Sequence, residues 1–376
     1  MTDITSNERQ YAPGQHPDLP PPAGTVGVIG WVRQNLFSSV SNTLLTIVGA
    51  YLIYLTIPPI IQWAFVHSQI DGASRADCQP ALDAGGACWA IVRARFGQFM
   101  YGFYPPEEYW RPNLAGILGL IALVPVLFEK VPYRGWGLLY SAFYPVIAFF
   151  LLVGGLGLVP VETSKWGGLM LTIVIGVTGI VASLPIGIIL ALGRRSEMPI
   201  VRILCVAFIE FIRGVPLITI LFMASVMLPL FLPEGVNFNL LLRALIGVAL
   251  FSAAYMAEVI RGGLQAIPKG QYEAAQALGL SYWRMMGLIV LPQALRIVIP
   301  GIVNTFIGLF KDTTLVLIIG LFDLLGIAKS SITDAKWLGL HHEAYGFVAF
   351  VFFVFCFCMS RYSLWLEEQL HTGHKR

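Results

Sequence analysis

The sequence predicts an all-α integral membrane protein with about eight transmembrane helices. Three observations carry that prediction. Of 376 residues, 57% are hydrophobic and only 12% charged, with a mean hydropathy of +0.74. A soluble domain carries about 25% charged residues, so most of this surface must face lipid. Eight apolar runs follow one another, roughly 43–66, 113–129, 137–158, 168–193, 203–232, 240–260, 293–320 and 346–365, each near the length of about 20 residues that a spanning helix needs. Lys and Arg concentrate in alternate short loops, as the positive-inside rule requires. The formal net charge of +3 is small and its basic residues are scattered, which argues against nucleic acid as a partner.

The elements follow in order. Residues 1–42 read as a largely disordered tail, with Pro13, Pro17, Pro20, Pro21 and Pro22 beside Asp3, Glu8 and Asp18. Such sequence buries too little apolar surface to order itself, and it lacks the basic start and cleavage site of a secretory signal. Residues 43–166 hold the first three runs, almost free of charge inside, with a long polar loop at 67–112. Residues 167–366 hold the last five runs, within which lie Glu210, Arg213, Glu258, Lys311 and Asp312. That contrast marks 167–366 as the working core and 43–166 as an accessory region, with 367–376 as a C-terminal tail.

With the N-terminus placed in the cytosol, Lys130, Arg134, Arg194, Arg195, Arg202, Arg261, Lys269, Arg284, Arg361, Lys375 and Arg376 all fall on the cytosolic side. Both chain ends are then cytosolic and loop 67–112 is periplasmic. Cys78 and Cys88 lie ten residues apart in that loop. They can pair if it faces an oxidising compartment; two free thiols are the alternative. Cys205, Cys356 and Cys358 sit in apolar runs, where a thiol behaves as a small hydrophobe.

The cytosolic stretch 262–292 breaks the apolar pattern. Ile267-Pro268-Lys269-Gly270 opens it, and proline suits a first helical turn. Glu273 is expected near the helix start, where a negative charge complements the dipole. Ala274, Ala275, Ala277 and Leu278 form a small-residue face, Gly279 suits a left-handed terminator, and Ser281 suits a cap for a second helix. That helix carries Tyr282, Trp283, Met285 and Met286 before Ile289 and Leu291-Pro292 lead back to the membrane. The physical product is two helices at a glycine elbow. Its apolar surface needs a cover, either a protein partner or lipid, with the segment lying in the interface.

Glu273-Ala274-Ala275, then Gly279, then Ile289-x-Leu291-Pro292 resembles the EAA loop of the permeases of bacterial ABC importers, with the spacing EAA-x3-G-x9-I-x-LP complete. Stretches 210–217 (EFIRGVPL), 257–263 (AEVIRGG) and 311–316 (KDTTLV) are similar to the polar amino acid subfamily. The resemblance covers about 168–365, and the three additional N-terminal spans look like the M-type permease of general L-amino acid importers. It implies that the last five helices form a type I permease core in a bacterial inner membrane. It implies that loop 262–292 docks on ATPase subunits. Four kinds of partner follow from it: two ATPase subunits, a second related permease chain, a periplasmic amino acid binding protein and membrane lipid.

Charges inside spans usually face a bundle interior or a water-filled path. Arg213, about ten residues into its run, is expected roughly 15 Å deep, with Lys311 and Asp312 at comparable depth if the seventh run is one helix. For a zwitterionic amino acid, Arg213 or Lys311 suits the carboxylate and Glu258 or Asp312 the ammonium. Ser252 and Tyr255, up to two turns deeper than Glu258 on nearly the same face, suit a pore lining. The competing reading is that these charges, with Glu210, pair among themselves and lock helices together.

His341-His342 lacks further ligands at zinc-site spacing, so no metal is expected. No G-x-x-x-x-G-K-[ST] occurs, so ATP and Mg belong on a partner chain and this chain is not itself an enzyme. A transporter working alone predicts inverted repeats, and no convincing repeat is found. A membrane enzyme would need a polar catalytic cluster at a membrane face, and none is evident.

Overall fold

The structure is a computed structural model and describes residues 27–155, 157–233, 235 and 238–370. The expected tail therefore lies mostly outside the described residues, as do 371–376. Residues 27–42, expected in that tail, instead hold α1 (Gly27–Asn35) and the start of α2 (Val40–Ile61). Ser39 begins α2 by accepting a hydrogen bond from the Asn42 N–H at 3.1 Å, an ordinary N-cap. Among the described residues, 27–68 and 83–87 form one compact unit, and those of 69–82 and 88–370 a second. In the first unit no residue of α2 is buried.

The second unit holds the remaining spans. These are α3 (Trp110–Leu127), α4 (Arg134–Val153), α5 (Gly168–Arg194), then α6 (Pro199–Gly214) and α7 (Leu217–Val226), and then α8 (Leu240–Ala266). Beyond the elements of loop 262–292, α9 (Lys269–Ala277), α10 (Tyr282–Met285) and α11 (Leu291–Ile297), come α12 (Ile299–Asp312), α13 (Leu324–Ile332) and α14 (His341–Leu370). Among the described residues seven helices are long and apolar enough to cross a membrane, or eight if α6 and α7 count as one broken span.

The fifth run differs from a single span: α6 and α7 meet at 106°. Val215 is extended before Pro216, as a residue preceding proline prefers, and Pro216 caps α7. The seventh run is also not one helix. It is divided at Val298, before Pro300, and passes at Thr313 into the tighter helix Thr313–Ile319.

The core is the seam between α5 and α8. A Cβ on Gly179 would come within 3.0 Å of the Val248 side chain, and one on Gly187 within 2.8 Å of Met256. Small residues let membrane helices approach this closely. By the same register Ser183 and Ser252 stand at one level of the seam, and both are buried. Ser252 therefore packs between helices and does not line an open surface, because its position on α8 faces the α5 glycines.

The accessory boundary at 166 is not where the units divide. The α3–α4 hairpin belongs to the second unit, fastened by polar clamps. Arg111, fully buried, donates to the carbonyls of Leu151 (2.6 Å) and Val159 (2.8 Å). At the other end of the hairpin the Tyr362 hydroxyl donates to Leu127 O at 2.7 Å. Loop 67–112 is folded as well. Cys78 and Cys88 form a disulfide, and both are buried with Ile91, Phe99, Leu324, Ile327 and Trp337. Arg75 donates to the carbonyls of Lys336 and Leu338, Arg95 pairs with Asp334, and the Cys88 N–H donates to Glu343. Residues 69–82 and 88–109 thus pack with 321–340 into one cap.

Candidate functional site

The site is built at the ends of α5 and α8. Helix α9 starts after Pro268, which takes the N-cap position rather than the first turn. Glu273 therefore sits in the second turn, too far along for a strong dipole effect. Gly279 has φ of +72°. Its N–H bonds Gln276 O at 2.9 Å, and the Leu280 N–H bonds Ala275 O at 3.2 Å. That pair of bonds is the Schellman motif, which satisfies carbonyls orphaned at a helix end.

Ser281 occupies the N-cap of α10, but its side chain makes no capping bond. The helix then continues through a wide turn, Met286–Val290, into α11 without a break. Pro292 lies just past that wide turn, and a proline there cannot supply the N–H of a regular α-turn. The second helix of the loop is thus longer than the sequence suggests.

One face of this helical pair is buried and the other bare. Ala275, Met285, Met286, Val290 and Ala294 pack on Ile260, Leu264 and Ile267. Glu273, Ala274, Leu278, Gly279, Tyr282 and Trp283 are exposed, Leu278 and Trp283 by more than 70%. Ile289 and Leu291 are partly covered, and Pro292 is exposed. Partial burial raises the Tyr282 hydroxyl above its ordinary 10.0.

A charge cluster stands close behind. Glu258 receives Arg194 Nη1 at 2.6 Å and Arg261 Nη2 at 2.9 Å, with Arg213 Nη1 at 3.6 Å. Arg194 also reaches Glu210 at 2.9 Å. The Arg213 guanidinium lies over the Tyr255 ring, 5.5 Å from its centroid. Arg213, Tyr255 and Glu258 are thus together, and Glu210 joins them through Arg194. Arg213 is not at mid-depth of a straight span, because the 106° bend begins just after it. It stands at the level of Glu258, near the end of α8. Lys311 and Asp312 lie at the end of α12, apart from this cluster, and neither enters an ion pair among the described residues. Among the described residues no group of three His, Cys, Asp or Glu could hold a metal ion.

In the sequence Arg194 and Arg195 stand out only as basic residues that orient the chain. In the structure both make several bonds in the site: Arg194 reaches Glu258 and Glu210, and Arg195 Nη1 donates to Leu264 O at 3.0 Å and to the Tyr272 hydroxyl at 3.1 Å. A signal was present, since basic residues in a last helical turn bond orphaned carbonyls.

Residues 183–371 match the family described as the binding-protein-dependent transport system inner membrane component. The chain is 54% identical over 360 residues to the inner membrane amino-acid ABC transporter permease protein YhdY of Escherichia coli, covering 95% of this chain and 97% of that one. It is 45% identical to the glutamate/glutamine/aspartate/asparagine transport system permease protein BztC of Rhodobacter capsulatus, over 95% of this chain and 96% of that one. Among solved structures, a chain of an amino acid ABC transporter crystallised with histidines is similar at 29% identity and a TM-score of 0.48, over 54% of this chain and 92% of that one. The chain therefore belongs to the family of binding-protein-dependent transport system inner membrane components.

Proposed function

We propose that this chain is the permease subunit of an ATP-driven importer of L-amino acids in a bacterial inner membrane. The observation that carries the proposal is the helix–Gly279–helix loop, seated on Ile260 and Leu264 with Ala274, Leu278 and Trp283 left uncovered. Such a platform suits docking of a protein rather than immersion in lipid, because acidic Glu273 shares the bare face. Two ATPase subunits, carrying ATP and Mg, would occupy this loop and its equivalent on a second, related permease chain. The last five spans make the type I core, and both chain ends face the cytosol. A periplasmic binding protein would deliver the substrate to the opposite side, where residues 69–82, 88–109 and 321–340 form their cap.

The names of the two relatives, one an amino-acid permease and the other a permease for glutamate, glutamine, aspartate and asparagine, support amino acids as the cargo. With Glu258 engaged by three arginines, its carboxylate is not available to an ammonium group in this state. We assign the Glu258–Arg213 cluster to closing the inner end of the path. Lys311 and Asp312 remain the residues for the cargo's carboxylate and ammonium, with Tyr255 beside the path.

A pull-down through a tag on this chain, co-expressed with its ATPase and second permease, tests the reading. Ala274→Glu adds a charge to an exposed helical position without disturbing the buried face. Wild type is expected to retain the ATPase and Ala274→Glu to lose it; equal retention by both would remove the docking role.

A further inference from the structure

The end of α8 carries a junction that joins the loop to the charge cluster. Ile267 turns to an extended backbone (ψ of 125°) and makes no cap hydrogen bond, so the last carbonyls of α8 need other donors. Leu264 O finds two. Arg195 Nη1 donates to it at 3.0 Å, and the Tyr272 hydroxyl at 3.2 Å. Arg195 also donates to that hydroxyl, and its guanidinium stacks 5.6 Å from the centroid of the Tyr272 ring. Tyr272 is on α9, Leu264 on α8, and Arg195 caps the end of α5. Three elements meet on one carbonyl.

The preceding residue faces the other way. Arg194 Nη1 bonds Glu258 of α8 and Glu210 of α6. Consecutive residues at a helix end diverge by about 100°, so this adjacent pair reaches two neighbourhoods at once. The planar guanidinium of each holds more than one acceptor in fixed geometry, which a flexible ammonium would not. A shift of α9 that moves Tyr272 must either break the contact with Arg195 or carry the end of α5 with it. In the second case Arg194 moves against Glu258 and Glu210.

We infer that Arg194 and Arg195 are a positioning pair that transmits movement of α9 to α6 and α8. The inference rests on the coupling-loop reading above and deepens it, by naming the residues behind the docking face. It predicts that breaking the pair separates ATP hydrolysis from transport while leaving the docking face intact.

The experiment uses the complete complex in proteoliposomes, with ATP hydrolysis and uptake of radiolabelled L-glutamate and L-glutamine measured together. Arg195→Ala is expected to retain the ATPase in a pull-down and to hydrolyse ATP within about twofold of wild type, while amino acid moved per ATP falls about fivefold or more. Tyr272→Phe removes one hydroxyl and keeps the ring, so it is expected to lower the same ratio about twofold. The double variant should be no worse than Arg195→Ala, because both act through one junction. A purely structural role would lower assembly and hydrolysis together and leave the ratio alone. An unchanged ratio in Tyr272→Phe overturns the inference even where Arg195→Ala fails to assemble. If wild type retains the ATPase and both variants keep its ratio, this inference falls and the docking reading stands. If wild type retains no ATPase, both fall.

Discussion

Glu258 and Glu210 are both partners of Arg194, yet their surroundings differ. The Glu258 side chain is 14% exposed and faces three arginines, whereas that of Glu210 is 55% exposed and faces one. Removing a charge from a mostly buried set strands its partners, while an exposed pair contributes little. Glu258→Gln should therefore lower stability by about 3 kcal/mol and Glu210→Gln by under about 1 kcal/mol, read as thermal unfolding in detergent. Asp323 offers a test by pH. It is fully buried and caps α13 by accepting from the Leu325 and Gly326 N–H groups. Burial raises its carboxyl from the ordinary 3.8 to about 6. The native state then holds a proton that the unfolded chain has released, so stability is lost as pH rises from about 3.8 to about 6. Asp323→Asn keeps a side-chain cap and should flatten that slope while stabilising the protein above pH 6. At this scale the sequence showed which residues were charged and unusual. It did not show that Arg213 and Glu258 are neighbours, because that depends on how α6 packs against α8.

Two elements carry most of the architecture that is not simply a spanning helix. Gly279 was readable in advance as a terminator, since its spacing after Ala274-Ala275 leaves it at a helix end. A Cβ there would meet nothing within 4 Å, so only its φ of +72° opposes a side chain. Gly279→Ala should weaken the elbow by about 1–2 kcal/mol, seen as faster hydrogen exchange in 269–285 with the rest of the protein unchanged. The cap on the opposite side was harder to foresee. Loop 67–112 carries no apolar run, yet Ile91 and Phe99 are buried against Leu324 and Trp337, residues more than two hundred positions away. Long-range pairing of two polar loops leaves no periodic trace. Cys78→Ser should loosen that cap by about 2–3 kcal/mol, measured as protease sensitivity of residues 69–109. The bend in the fifth run lies between these cases. Pro216 was visible, but proline permits a range of angles, and the packing of α6 across the α5 and α8 ends selects 106°.

At the scale of the whole molecule, apolar run length located the spans well, because lipid forces every backbone group into helical pairing. It did not locate the division of the chain. Arg111 ties the two helices of the α3–α4 hairpin together, and Tyr362 of α14 joins that hairpin to the core through Leu127 O, both by bonds from polar side chains to carbonyls. The site shares this character: the helix–glycine–helix loop was legible as a motif, while the junction behind it, at Arg195, Tyr272 and Leu264, exists only once three helix ends are brought together. The proposed role of Lys311 and Asp312 toward cargo belongs to the same scale, since it would be played in the complete assembly. Lys311→Met should reduce uptake about tenfold or more with the ATPase still retained by pull-down. The central claim is that transport through this chain is driven by ATP through its cytosolic loop. The most direct measurement is uptake of radiolabelled L-glutamate and L-glutamine into proteoliposomes holding the complete complex, with and without internal ATP, for wild type and Ala274→Glu. The account predicts uptake that requires ATP in wild type and is absent in the variant. Uptake by this chain alone, driven by an ion gradient and indifferent to Ala274→Glu, would contradict it.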